Sequence, residues 1–126
     1  MRRTIIAIII LILSLSIGIF SHYYVKNACN QAISGVEEIL ENAVTQDKER
    51  VNQLCVQLNA NWNKKVFLLN ILLGREYTNE AGKYFQKMLY FSESADYDSV
   101  VSNAKECKAE LTNIIRSNEL DLSTVF

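Results

Sequence analysis

The stretch Thr4–Val25, TIIAIIILILSLSIGIFSHYYV, decides how the rest of the chain is read. It runs for 22 residues without an Asp, Glu, Lys or Arg. As a helix rising about 1.5 Å per residue it is about 33 Å long, against about 30 Å for a bilayer's hydrocarbon core. Ile, Leu and Phe fall on every side, so the polar stripe of a soluble core helix is missing. Ser14, Ser16 and Ser21 are tolerable in lipid because a hydroxyl can bond back to its own helix. Tyr23 and Tyr24 close the run and Lys26 follows. Rings with a polar tip favour the headgroup layer, and a lysine reaches past them. The stretch predicts a retained transmembrane helix.

A cleaved export signal is the main competitor, with Arg2 and Arg3 as its charged region. Its cleavage site is poorly placed. Ser16-Ile17-Gly18 lies inside the apolar run, and Lys26 stands where the lipoprotein pattern before Cys29 wants an apolar residue. A buried soluble helix is the third reading. Arg2 and Arg3 favour the cytoplasmic side. The expected arrangement is a single pass through the cytoplasmic membrane, N-terminus inside and the bulk of the chain outside. The domains expected are an anchor at 1–25, an extracytoplasmic bundle at 26–118 and a tail at 119–126.

Residues 27–126 carry ten Lys/Arg and all fourteen Asp/Glu, a net charge of −4. That balance argues against nucleic acid as a partner and against purely electrostatic docking on anionic lipid. About a hundred residues make one domain with one modest core.

There is no proline and there are four glycines, and no stretch alternates for long. Apolar residues recur at three- and four-residue steps, so the reading is all-α: the transmembrane helix, then an antiparallel bundle of three to four helices, the first continuous with the anchor. The first seam is Val25, Cys29, Ala32/Ile33, Val36, Leu40 and Ala43. It ends near Thr45-Gln46-Asp47, unless the helix runs on unbroken. A second helix spans Lys48 to Leu73, with Gly74 as its stop. A third runs from Thr78, as N-cap, to about Ser92. A fourth starts at Tyr97 and frays near Ser117.

Three surface features stand out. In Lys64-Lys65-Val66-Phe67-Leu68-Leu69-Asn70-Ile71-Leu72-Leu73, the residues Phe67, Leu68 and Ile71 lie off the seam, so this end is apolar nearly all round. Counting down the second helix brings residue 66 to the height of Lys26. The tip is therefore either a shallow membrane or partner contact, with Lys64 and Lys65 at phosphate level, or is covered by the third and fourth helices. Asn52, Asn59, Asn63 and Asn70 share one stripe beside the seam. They bond a partner helix or polar ligand, or form an uncharged solvent face or a boundary strip between core and water. Tyr77, Tyr84, Phe85, Tyr90, Phe91 and Tyr97 suit an aromatic box or, more simply, core packing.

Cys29, Cys55 and Cys107 lie on apolar seams and read as small buried hydrophobes; one disulfide among them is an open alternative. No metal-ligand spacing, nucleophile–base pair or phosphate-cradling loop occurs. His22 has no carboxylate beside it, and the pairs Glu76/Glu80 and Glu106/Glu110 read as solvated surface. No enzymatic activity and no cofactor are expected.

The layout resembles one family. An N-terminal anchor is followed by Trp62-Asn63-Lys64-Lys65-Val66-Phe67-Leu68-Leu69, then Glu76, then Glu119 shortly before Val125-Phe126. This is similar, over the whole chain, to a small family of spore-forming Gram-positive bacteria known as domain of unknown function 4363. Arg75 stands where that family carries a His. The resemblance implies a membrane-anchored helical protein beside a multi-pass membrane protein, and it carries over no functional residue. The function expected is that of an accessory or scaffolding partner of another membrane protein. The alternative is a ligand-sensing bundle at the membrane surface, against which stands the shortness of the segment before the anchor.

Overall fold

The computed structural model describes the backbone of residues 1–125 and the side chains of residues 1–119. Four helices follow one another: α1 (Arg2–Val44), α2 (Lys48–Leu73), α3 (Arg75–Glu93) and α4 (Tyr97–Val125). α1 packs on α2 and α4, α2 on α3, and α3 on α4; among the described residues no contact joins the diagonal pairs. The result is a square, up-down-up-down bundle.

The helices fill the interior with a four-three alternation, interrupted only on α2, where half-exposed Lys65 stands between Trp62 and Leu69. On α1 the buried residues include Val25, Cys29, Ala32, Val36, Ile39 and Ala43. On α2 they include Val51, Cys55, Leu58, Trp62 and Leu69. α3 buries Thr78, Ala81, Phe85, Met88 and Ser92. α4 buries Val100, Ala104, Cys107, Leu111 and Ile114. This seven-residue repeat keeps one seam facing inward along near-parallel helices. It explains why Ile39, rather than the expected Leu40, takes the interior position. Burying each large side chain contributes about 1.5–3 kcal/mol. At the centre Trp62 meets Phe85 edge-on, with ring centroids 5.0 Å apart at 64°. Gly35 lets α2 close in, since a Cβ there would come within 3.1 Å of Leu58 Cδ1.

α1 is 43 residues long, and none of its residues before Val25 is buried. One helix of the described residues is long and apolar enough to cross a membrane, and it is this one, in its N-terminal part. Ser14 and Ser16 donate to the carbonyls of Ile10 and Ile12 at 2.9 Å, so both hydroxyls in the middle of the segment are satisfied by their own helix. The helix passes without a break from this exposed segment into the core of the bundle.

Two of the three turns share one construction. After α1, Gln46 takes a positive φ of 56° while Gln46 N–H and Asp47 N–H donate to the carbonyls of Ala43 and Asn42. After α3, Ala95 takes φ 58° while Ala95 N–H and Asp96 N–H donate to Ser92 and Phe91. Both are left-handed helix stops in which the last carbonyls are re-bonded. Both hand over to an aspartate cap: Asp47 accepts from Arg50 N–H at 3.3 Å and Asp96 from Ser99 N–H at 3.2 Å. The break near Thr45–Asp47 thus stands where the sequence places it.

Two boundaries differ from expectation. α3 begins at Arg75, not Thr78, because Gly74, at φ 93° and ψ 154°, reverses the chain in a single residue. Thr78 therefore lies at the end of the first turn, where its hydroxyl donates to Asn70 Oδ1 and has the Gly74 and Arg75 carbonyls within reach as alternative acceptors. α4 continues through Val125 instead of fraying near Ser117. α1 extends below the bundle, so α4 keeps a neighbour there: Asn118 meets His22 and Lys26 faces Glu119. The side chains of the expected tail beyond Glu119 lie outside the described residues.

Candidate functional site

The sequence-selected tip lies at the base of the bundle, the end where the apolar segment of α1 emerges. Two cross-contacts fix its height. Gly35 faces Leu58, and Lys65 Nζ donates to Gln31 Oε1. Between antiparallel helices these pairings put Phe67 level with about residues 26–29 of α1, and Ile71 level with about 22–25. Tyr23, Tyr24 and Lys26 occupy that same height.

α3 and α4 do not cover this surface. Phe67 is 76% exposed and Ile71 65% exposed. Leu68, Leu72 and Leu73 are half-buried, the last two packed on the core. Lys64 is exposed, whereas Lys65 is held across to Gln31. The reading in which the other helices shield the tip therefore holds for Leu72 and Leu73 but not for Phe67 and Ile71. The one-residue turn at Gly74 sets α3 directly beside α2, so α3 claims one side of α2 and leaves the Phe67–Ile71 side bare.

The asparagine stripe meets a different fate. Its two ends bond buried hydroxyls of α3: Asn52 Nδ2 donates to Ser92 Oγ at 3.2 Å, and Thr78 Oγ1 donates to Asn70 Oδ1. Thr78 and Ser92 are 1% and 0% exposed, so these bonds satisfy polar atoms with no access to water. Asn59 is half-buried and Asn63 exposed. The stripe is a boundary strip, and its ends join α2 to α3. The signal that marks Thr78 and Ser92 as interior is their spacing of seven from Phe85, which is masked by their polarity.

The aromatic set divides. Phe85 is core, Tyr84, Phe91 and Tyr97 are half-buried, and Tyr77 and Tyr90 are exposed. Tyr84 borders an open groove with Lys105, Glu106, Glu110 and Arg116. Desolvation first, then the carboxylates of Glu106, Glu110 and Glu80 and the Cys107 thiol, raise its phenol pKa. Two small clefts measure about 40 Å³, beside Trp62, and about 70 Å³, beside Tyr77. Each has room for a few waters but not for a drug-sized ligand.

All three cysteines are buried and free. Burial pushes the Cys29 and Cys107 thiols up to about 12 and the Cys55 thiol up to about 11. A thiol so held is a poor nucleophile and a poor metal ligand at neutral pH. Among the described residues no group of three or more His, Cys, Asp or Glu is placed to hold a metal.

No protein family, curated protein or solved structure matches the chain.

Proposed function

We propose that this is a single-pass membrane protein, N-terminus in the cytoplasm, whose four-helix bundle stands outside the cytoplasmic membrane and serves as an accessory or scaffolding partner of a multi-pass membrane protein. The proposal includes membership of the anchored helical family that the sequence resembles. One observation carries it. The apolar segment Thr4–Phe20 has no buried residue, yet it continues as the same helix into the bundle core. A greasy rod of that length needs a nonpolar solvent, and the bilayer is the one that matches its span. Arg2 and Arg3 at its start set the direction.

The character of the bundle's surface favours a binding role. The thiols are withdrawn by burial, and the larger hollows, of about 720 Å³ beside Tyr84 and about 480 Å³ beside Tyr90, are open surface grooves and not enclosed pockets. What the bundle offers is surface, in particular the bare side of α2. The test has two parts. Alkaline carbonate should leave the full-length protein in the membrane pellet. Reporters fused after residue 126 should be active only outside the cytoplasm. Release by carbonate, or a cytosolically active fusion, would refute the proposal.

A further inference from the structure

We infer that the bundle touches the bilayer a second time, through Phe67 and Ile71 on α2, which insert at the headgroup–hydrocarbon boundary beside the anchor. The inference rests on the anchor reading above and adds to it which surface lipid occupies.

Geometry leads to this assignment. α1 is unbroken from Arg2 to Val44, so no hinge lets the bundle rise or tilt freely away from the span. α2 is locked to α1 by the Gly35–Leu58 approach and the Lys65–Gln31 bond. Once the span is in place, the height of the tip is therefore set. A 30 Å core counted from Thr4 ends near Tyr23. Ile71 is level with about residues 22–25 and Phe67 lies about 6 Å above it, within the headgroup layer.

Chemistry agrees. Phe67 and Ile71 are four residues apart, hence on one face, and they are the bare apolar pair of this tip at 76% and 65% exposure. Lys64 is exposed one turn before Phe67 and two turns before Ile71, and is free to reach phosphate from above. Arg75 and Glu76, exposed at the turn below, carry opposite charges and add no net attraction. Insertion is thus driven by apolar burial, consistent with the acidic domain, and phosphatidylcholine is a sufficient lipid. Two contacts of one rigid body with the membrane fix the tilt of the bundle.

The experiment places tryptophan at single positions of the full-length protein in vesicles of phosphatidylcholine brominated on its acyl chains. Trp62, 3% exposed, supplies a constant background. Phe67→Trp and Ile71→Trp should be quenched several-fold more than Val56→Trp, which sits about 16 Å higher on the same helix and is also exposed. Ile10→Trp reports the anchor itself. Quenching at Ile10→Trp together with none at Phe67→Trp and Ile71→Trp overturns the second contact and leaves the anchor standing. No quenching at Ile10→Trp refutes the anchor. A blue-shifted but unquenched Phe67→Trp means a second copy of the chain covers the tip, which also overturns the lipid assignment.

Discussion

Asn118 on α4 places its amide nitrogen 3.1 Å from His22 Nδ1 and 3.3 Å from the His22 carbonyl oxygen on α1. This one side chain ties the lower end of α4 to the point where α1 leaves the bundle. Lys26 and Glu119, 3.7 Å apart and half exposed, add a weak ion pair beside it. Asn118→Ala removes both bonds to His22. The expected outcome is faster amide exchange over 115–125, with the rest of the bundle protected as before. Global stability should fall by about 1 kcal/mol or less, because the site is only part-buried. Unchanged exchange at the end of α4 would show that packing alone holds it.

Asn70 and Thr78 form the matching tie between α2 and α3. Thr78→Val keeps the volume but strands the Asn70 side chain, and should cost about 1–3 kcal/mol in urea denaturation. Asn70→Leu with Thr78→Val should cost less than the two single changes added, since the pair is then removed together. Strict additivity would mean that the two side chains do not interact. The same cycle applies to Asn52 and Ser92 at the other end of the stripe.

The turns are open to improvement. Gln46 and Ala95 adopt positive φ at a cost of about 1–2 kcal/mol each relative to an unstrained backbone. Gln46→Gly and Ala95→Gly should each stabilise the bundle by up to about 1 kcal/mol, the gain being reduced by the added freedom of the unfolded chain. Gly74→Ala should act in the opposite sense. A Cβ there meets no neighbour within 4 Å, so its effect reads backbone strain alone. Asp47→Ala or Asp96→Ala should cost about 1 kcal/mol through the lost cap.

The thiols predict how stability depends on pH. Their ordinary value is 9.0, and in the fold they are held at about 11 to 12. Below pH 9 they are neutral in both the folded and unfolded states, and their contribution to stability is fully present. Above pH 9 the unfolded chain ionises first and gives up protons that the fold retains, so stability falls progressively until about pH 11–12. Urea midpoints measured from pH 7 to pH 11 should show the decline. A variant with Cys29, Cys55 and Cys107 all replaced by Ala should show less of it, from a lower starting stability. In the wild type at pH 8, a water-soluble thiol reagent should label almost nothing until denaturant is added.

Much of this protein follows from its linear pattern. Composition and periodicity give four helices, because a heptad of apolar residues has no other way to bury one face. Polar residues that suit a cap or turn mark the stop at Thr45–Asp47, and glycine's freedom marks the one at Gly74. The uncharged run at the start is legible as a membrane-length helix because the absence of charge over 22 residues is itself the signal. Thr78 and Ser92 escaped that reading. Polarity hides an interior position until the partner asparagine across the helix pair is seen.

Only the tertiary structure decided which surface stays bare. The sequence puts Phe67, Leu68 and Ile71 off the seam but leaves open whether α3 and α4 cover them; α3 returns along one side of α2 after a one-residue turn and leaves Phe67 and Ile71 in the open. It also decided that α4 outlasts its own apolar seam, because α1 continues beneath the bundle and offers it a partner. Local residue types set where a helix starts and which face is greasy. Which greasy face finds another helix depends on the direction each turn takes and on the register between antiparallel neighbours. Those are properties of the assembled bundle.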